Sequence, residues 1–224
     1  MISIDTIYQR VLALANKEQR GYITPQEFNL FANQAQMDIF EQYFYDLNQL
    51  LRIRNNSDEY ANIRDNLQEK ITIFERTSTG SGSINASDVY RLGTIRVDID
   101  GVFVEAEEVH QKELRHILQG PLTKPTSKRP IYHRRNATIV IYPENVDFTY
   151  DYVKSPHKVN WGYIVVNDKA MYDPSTTLNF ELHRSEEGEL TNRILGLAGI
   201  TLKQPDLSQA AAQVEAAKVQ QEKQ

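Results

Sequence analysis

The chain has 224 residues, a formal net charge of -5 and no cysteine, which fits one medium domain or two small ones and excludes a disulfide framework, thiolate chemistry and any zinc site built on sulfur. No stretch approaches the roughly 20 apolar residues of a membrane span, and the opening residues Met1 to Asp5 lack the basic and apolar blocks of an export signal. The acidic balance also argues against whole-molecule attraction to nucleic acid.

In chain order, the first element is a helix over residues 4–16, where Ile4, Tyr8, Val11, Leu12 and Ala15 recur at spacings of three and four and form one apolar face. Thr24-Pro25-Gln26-Glu27 then reads as a helix start. Thr24 accepts from the orphan amides, Pro25 fits the first helical position and Glu27 reaches back, with Ile23 and Phe28 as the staple around them. The helix that follows carries Phe31, Ala32, Ala35, Ile39, Tyr43, Leu47 and Leu50, and a second set of Met37, Phe40, Phe44 and Leu51, so it should touch two neighbours. A third helix is expected over 57–76, with Tyr60, Ile63, Leu67, Ile71 and Phe74 on its buried face. These three define a helical module over 1–76.

Residues 77–87, with the uncharged run Thr77-Ser78-Thr79-Gly80-Ser81-Gly82-Ser83, read as a flexible linker or loop. Beyond it the period changes to two. Ile95, Val97 and Ile99, the Asp100-Gly101 turn, and Val102, Val104 and Ala106 predict a hairpin. A short helix near 110–119 and strands over 138–142 and 146–153 complete an antiparallel β-rich region, 88–184. Leu178, Phe180 and Leu182 form its last extended segment. Ser185-Glu186-Glu187 then caps a helix bearing Leu190, Ile194, Leu197 and Ala198 and closed by Gly199. Within the C-terminal helices, 185–224, a last helix runs from Leu207 to about Lys223. It has high helix propensity and little to bury, and Leu207, Ala210, Ala211, Val214 and Ala217 give it a small-residue stripe suited to docking on a partner. The fold class expected is α+β: N-terminal helices, a central antiparallel sheet and a C-terminal helical extension.

Catalytic groupings are absent from this pattern. His110, His116, His133, His157 and His183 have no metal-ligand spacing, Glu105, Glu107 and Glu108 read as a solvated hairpin edge, and Gly80-Ser81-Gly82 lacks the lysine and helix start of a phosphate loop. No catalytic residue, metal or cofactor is therefore expected. The sharper electrostatic feature is the run 124–135, where Lys124, Lys128, Arg129, Arg134 and Arg135 occur without an acidic residue. It suits either a nucleic-acid backbone or an acidic neighbouring subunit.

Two blocks carry a resemblance. Ile7-Tyr8-Gln9-Arg10-Val11, the stretch from Arg20 to Asn29, and Ala32-Asn33-Gln34-Ala35-Gln36 resemble the start of virion structural proteins of tailed bacteriophages, especially short-tailed marine and gut phages. Asn179-Phe180-Glu181-Leu182-His183, the run from Ser185 to Leu190, Ala198-Gly199-Ile200 and the stretch from Pro205 to Gln209 are similar to neck and ring proteins at the head-to-tail junction. The resemblance implies a virion protein made in the host cytoplasm, present as a homo-oligomeric ring between portal and tail. Its implied partners are further copies of itself, adjacent portal, neck or tail proteins, and DNA passing through the channel; no membrane is implied. The alternative is a nucleic-acid-binding accessory protein that uses 124–135.

Overall fold

The computed structural model describes residues 1–17, 23–52, 58–99, 101–144, 146–201 and 213. It is α+β, in two units: residues 1–73 with 156–224, and residues 74–155. The helical unit is thus discontinuous in sequence, and the second is inserted into it.

In the helical unit, α1 (Ile4–Lys17) buries Ile4, Ile7, Tyr8, Val11 and Ala15, while Leu12 is only half-buried. The expected capping box opens α2 (Pro25–Arg52): Glu27 N–H donates to Thr24 Oγ1 at 3.3 Å and Thr24 N–H donates to Glu27 Oε2 at 3.0 Å. The Thr24 N–H, and then the Thr24 hydroxyl at 2.8 Å, donate to the Glu27 carboxylate and hold its pKa below the ordinary value. The double apolar set on α2 has its reason in two helical neighbours, α3 (Asp58–Thr72) and α5 (Glu187–Thr201). Two ion pairs tie the elements around α5. Lys70 Nζ lies 2.6 Å from Glu186, which is buried, and Arg10 lies 2.7 Å from Glu187. The Ser185-Glu186-Glu187 cap is therefore built differently from the expectation: a single 3-10 turn, Arg184–Glu186, precedes α5, and His183 Nδ1 accepts from Ser185 N–H. Gly199 lies inside α5, which runs on to Thr201.

A second set of contacts runs along one stripe of α2. Asn29, Asn33 and Gln36, at helical spacing, face the extended segment 157–161. Val159 N–H donates to Asn33 Oδ1 and Asn33 Nδ2 donates to Val159 O, both at 2.9 Å. Trp161 N–H donates to Asn29 Oδ1 at 2.8 Å, and Gln36 Nε2 donates to His157 O at 2.8 Å. Side-chain amides here take the place of an adjacent β-strand, because each carries a donor and an acceptor, as a peptide group does. Trp161, buried against Tyr8, donates its indole N–H to Asp5 at 2.9 Å. Isolated bridges pair Ile2 with Phe180 and Asn160 with Leu178. A two-stranded hairpin, β9 (Tyr163–Val166) and β10 (Lys169–Tyr172), extends from the segment.

The inserted unit contains β1 (Glu75–Ser81), β2 (Ser83–Asn85), β3 (Val89–Ile99), β4 (Val102–Glu105), β5 (Glu107–Glu108), α4 (Gln111–Gln119), β6 (Ile131–Arg135), β7 (Thr138–Tyr142) and β8 (Asp147–Lys154). Two sheets, in orders β1-β8-β3-β4 and β2-β7-β6-β5, enclose Ile84, Ile95, Val97, Ala106, Tyr132, Ile139, Ile141 and Phe148. Only Gly82 separates β1 from β2, and only Ala106 separates β4 from β5. Each sheet margin therefore passes into the other sheet, which joins the two sheets at both corners into a six-membered barrel around one core. All pairings are antiparallel except β5 with β6. Gly82, at φ 73°, makes one of the two corners.

Three expectations are corrected here. Residues 77–87 are not a linker: Glu75 to Ser81 pairs along its whole length with β8, and residues 83–85 pair with β7. The small, uncharged composition has packing reasons, since a Cβ on Gly80 would lie 2.8 Å from the Phe148 ring and Thr77 Oγ1 donates to Asp151 at 2.7 Å. The third helix ends at Thr72 and not near 76, because the chain from Glu75 enters the ladder with β8. The β-rich region spans 74–155, and 156–184 belongs with the helices, to which the amides of α2 bind it. The hairpin across Gly101, the short helix before Gly120 and strands β7 and β8 match the expected pattern.

Two substitutions test this account. Gly80→Ala, which forces a methyl group against Phe148, should lower stability by about 1–3 kcal/mol in urea unfolding. Asn33→Leu should lower it by about 2 kcal/mol or more, because Val159 would keep a buried N–H and C=O with no partner. An unchanged midpoint for Asn33→Leu would mean the amide pairing is dispensable.

Candidate functional site

The basic run falls on two elements. Helix α4 ends at Gly120, and a turn follows in which Thr126 and Arg129 exchange backbone hydrogen bonds at 3.3 and 2.9 Å, between the buried prolines Pro125 and Pro130. Lys124, Lys128 and Arg129 project from this turn, whereas Arg134 and Arg135 belong to β6. Arg134 Nε lies 3.0 Å from Glu108 and Arg129 lies 3.8 Å from Glu107, both exposed pairs. The hairpin-edge glutamates thus neutralise two of the five cations. Lys124, Lys128 and Arg135 are exposed and make no ion pair among the described residues. The five side chains do not form one uninterrupted cationic surface.

Tyr132 lies beside this pair and donates its hydroxyl to Glu108 at 3.2 Å. Burial, and then the Glu108 charge, raise its pKa above the ordinary tyrosine value. On the opposite face of β6, Ile131 packs with Val109 and Leu114 under α4. His133 is buried on that face, stacked on Tyr142 at a centroid distance of 5.9 Å, and its Nδ1 has no hydrogen-bond partner among the described residues. Burial, with the Arg135 charge as a lesser cause, depresses the His133 pKa below its ordinary value. No group of three or more histidines or carboxylates among the described residues is arranged to hold a metal ion. Glu107 and Glu108 instead face the arginines.

The sequence matches neither a family model nor a curated protein.

The remaining candidates concern assembly. Leu207, Ala210, Ala211, Val214 and Ala217, the proposed docking stripe, lie outside the described residues. Sequence reasoning missed two exposed apolar groups that the structure makes plain. One is Val102 and Phe103 beside the Gly101 turn, exposed by 64% and 62% although they continue an alternating strand. The other is the β9–β10 hairpin, where Ile164, Val165, Val166, Met171 and Tyr172 are all exposed. The signal available for it was Val-Val-Asn-Asp-Lys, a two-residue turn between apolar runs. Asn167 and Asp168 occupy that turn at φ 51° and 60°.

The buried histidine gives a pH dependence with a definite sign. Because its folded pKa lies below the unfolded value, the unfolded chain takes up the proton first, and the contribution of neutral His133 is full above the unfolded pKa of about 6.5 and lost as pH falls toward the folded value. In denaturant unfolding between pH 8 and pH 5, His133→Phe, which keeps a ring against Tyr142 and cannot ionise, should flatten the decline. An identical decline in both proteins would remove His133 as its source.

Proposed function

We propose that this chain is a non-catalytic structural subunit of a phage virion, one copy in a ring of the neck between portal and tail that contributes to the DNA channel. The observation that carries this reading is the way the chain brings its two phage-like blocks together. They are separated by more than half of the sequence, yet both belong to the same unit. Their residues meet directly: Arg10 lies 2.7 Å from Glu187, Glu181 N–H donates to Gln36 Oε1 at 3.3 Å, and α1 and α2 pack on α5. Both blocks fall within the unit into which the barrel is inserted.

The exposed apolar side chains support the same reading, since clustered apolar surface rimmed by polar residues marks places that a partner covers. A head-to-tail contact repeated around an axis closes a ring when the rotation permits. The C-terminal stripe from Leu207 to Ala217, read from the sequence, supplies a helix whose apolar groups suit a neighbouring subunit.

Deleting residues 205–224 should leave a soluble core with unchanged cooperative unfolding that fails to enter particles assembled with portal and tail proteins. Incorporation of the truncated chain at the normal level would overturn the role given to the tail. Failure of the full-length chain to associate with any portal, neck or tail protein would overturn the neck reading itself.

A further inference from the structure

We infer that the β10 edge of the hairpin pairs with the same edge of a second copy, about a two-fold axis at Met171, to make a four-stranded intermolecular sheet. A hairpin of two four-residue strands is marginal in water, and three or more strands are needed for independent stability. Here only β9 and β10 make up the sheet. Each of the two strands is paired on one side only, so β10 keeps an outer edge with no strand neighbour among the described residues.

Hydrogen-bond parity selects the register. Asp173 N–H donates to Gly162 O at 2.9 Å, and the hairpin register pairs Met171 with Ile164 and Lys169 with Val166. Alternate pairs in an antiparallel ladder exchange bonds, so Ala170 and Tyr172 direct their backbone groups outward from β10. Outward residues must meet outward residues. Pairing Tyr172 with itself would bring Ala170 opposite Pro174, which has no N–H. Pairing Ala170 with itself would bring Tyr172 opposite Asp168, a turn residue at φ 60°. The remaining arrangement sets Ala170 against Tyr172 in both directions, with Met171 facing its own copy.

The charges agree with that register independently of the backbone parity. Lys169 and Asp173 stand symmetrically about Met171, so each lysine faces the other copy's aspartate, twice in the interface. Asp173 is fixed for this, since its carboxylate accepts from Ser175 N–H at 3.0 Å, Ser175 Oγ at 2.6 Å and Thr176 Oγ1 at 2.9 Å, bonds that hold it ionised below the ordinary aspartate pKa. An edge lysine alone would be a common guard against strand addition. Paired with Asp173, it admits one partner, the same edge inverted. On one face, Ile164 and Met171 of both copies then form an apolar row across four strands. A two-fold contact pairs two copies and does not close a ring, so the inference is independent of the neck reading.

The cysteine-free chain allows a direct test. In this register residue 171 faces itself at a non-hydrogen-bonded position, where Cα atoms are about 4.5 Å apart, within disulfide range. The wild-type protein should sediment as a concentration-dependent dimer, and Met171→Cys should oxidise to a covalent dimer while Lys169→Cys does not. Ala170→Pro, which removes an outward amide and none of the hairpin's own bonds, should give a monomer with an unchanged circular dichroism spectrum. Lys169→Glu should weaken the dimer by roughly tenfold, since it turns two opposite-charge pairs into like-charge pairs. A dimer that survives Ala170→Pro, or Met171→Cys that stays uncoupled, overturns the proposal.

Discussion

The helical unit depends on a row of side-chain amides. The segment 157–161 lies along α2 with its backbone polar groups turned toward a helix, which has no free peptide groups to offer in mid-length. Asn29, Asn33 and Gln36 solve this by presenting donor and acceptor together, so the strand bonds to side chains as it would to another strand. Aspartate or serine at these positions would supply only part of the pattern. Once the segment is fixed, Trp161 is seated between Tyr8 and the hairpin base, and the bridges to Leu178 and from Phe180 to Ile2 follow.

The same row explains how the unit tolerates an insertion. The chain leaves it after Ile73 and returns at Pro156, so its two halves must be joined by contacts and not by sequence neighbourhood. Lys70 with Glu186 and Arg10 with Glu187 join the early helices to the late one. The buried pair fixes which surfaces meet, and breaking it from one side would strand a charge. The inserted unit is continuous in sequence, and its two sheets enclose an apolar interior of their own.

Strand edges also bear on association. The β9–β10 hairpin forms a sheet of two strands, each paired on one side, so its outer edges carry backbone groups that a further strand could meet. The polar features that looked most interactive in the sequence are in part satisfied at home, as Arg129 and Arg134 are by Glu107 and Glu108. Apolar groups such as Phe103 and Met171 are left outward instead.

The sequence by itself determined the elements whose signals are local. The Thr24–Glu27 box, the apolar stripes of α1 and α2, the turn at Gly101 and the alternation of β7 and β8 all arise between residues a few positions apart, and so does the α+β class. Only the tertiary structure decided what depends on distant partners. Residues 77–83 have the composition of a linker and become a strand because β8 lies beside them and Phe148 leaves no room for a side chain at Gly80. The basic run loses two charges to glutamates more than twenty residues earlier, and Asn29, Asn33 and Gln36 look like an ordinary polar helix face until a strand arrives from residues 157–161. In each case the deciding energy is a hydrogen bond, a charge pair or a steric contact with a residue far away in the chain, and no local periodicity records it.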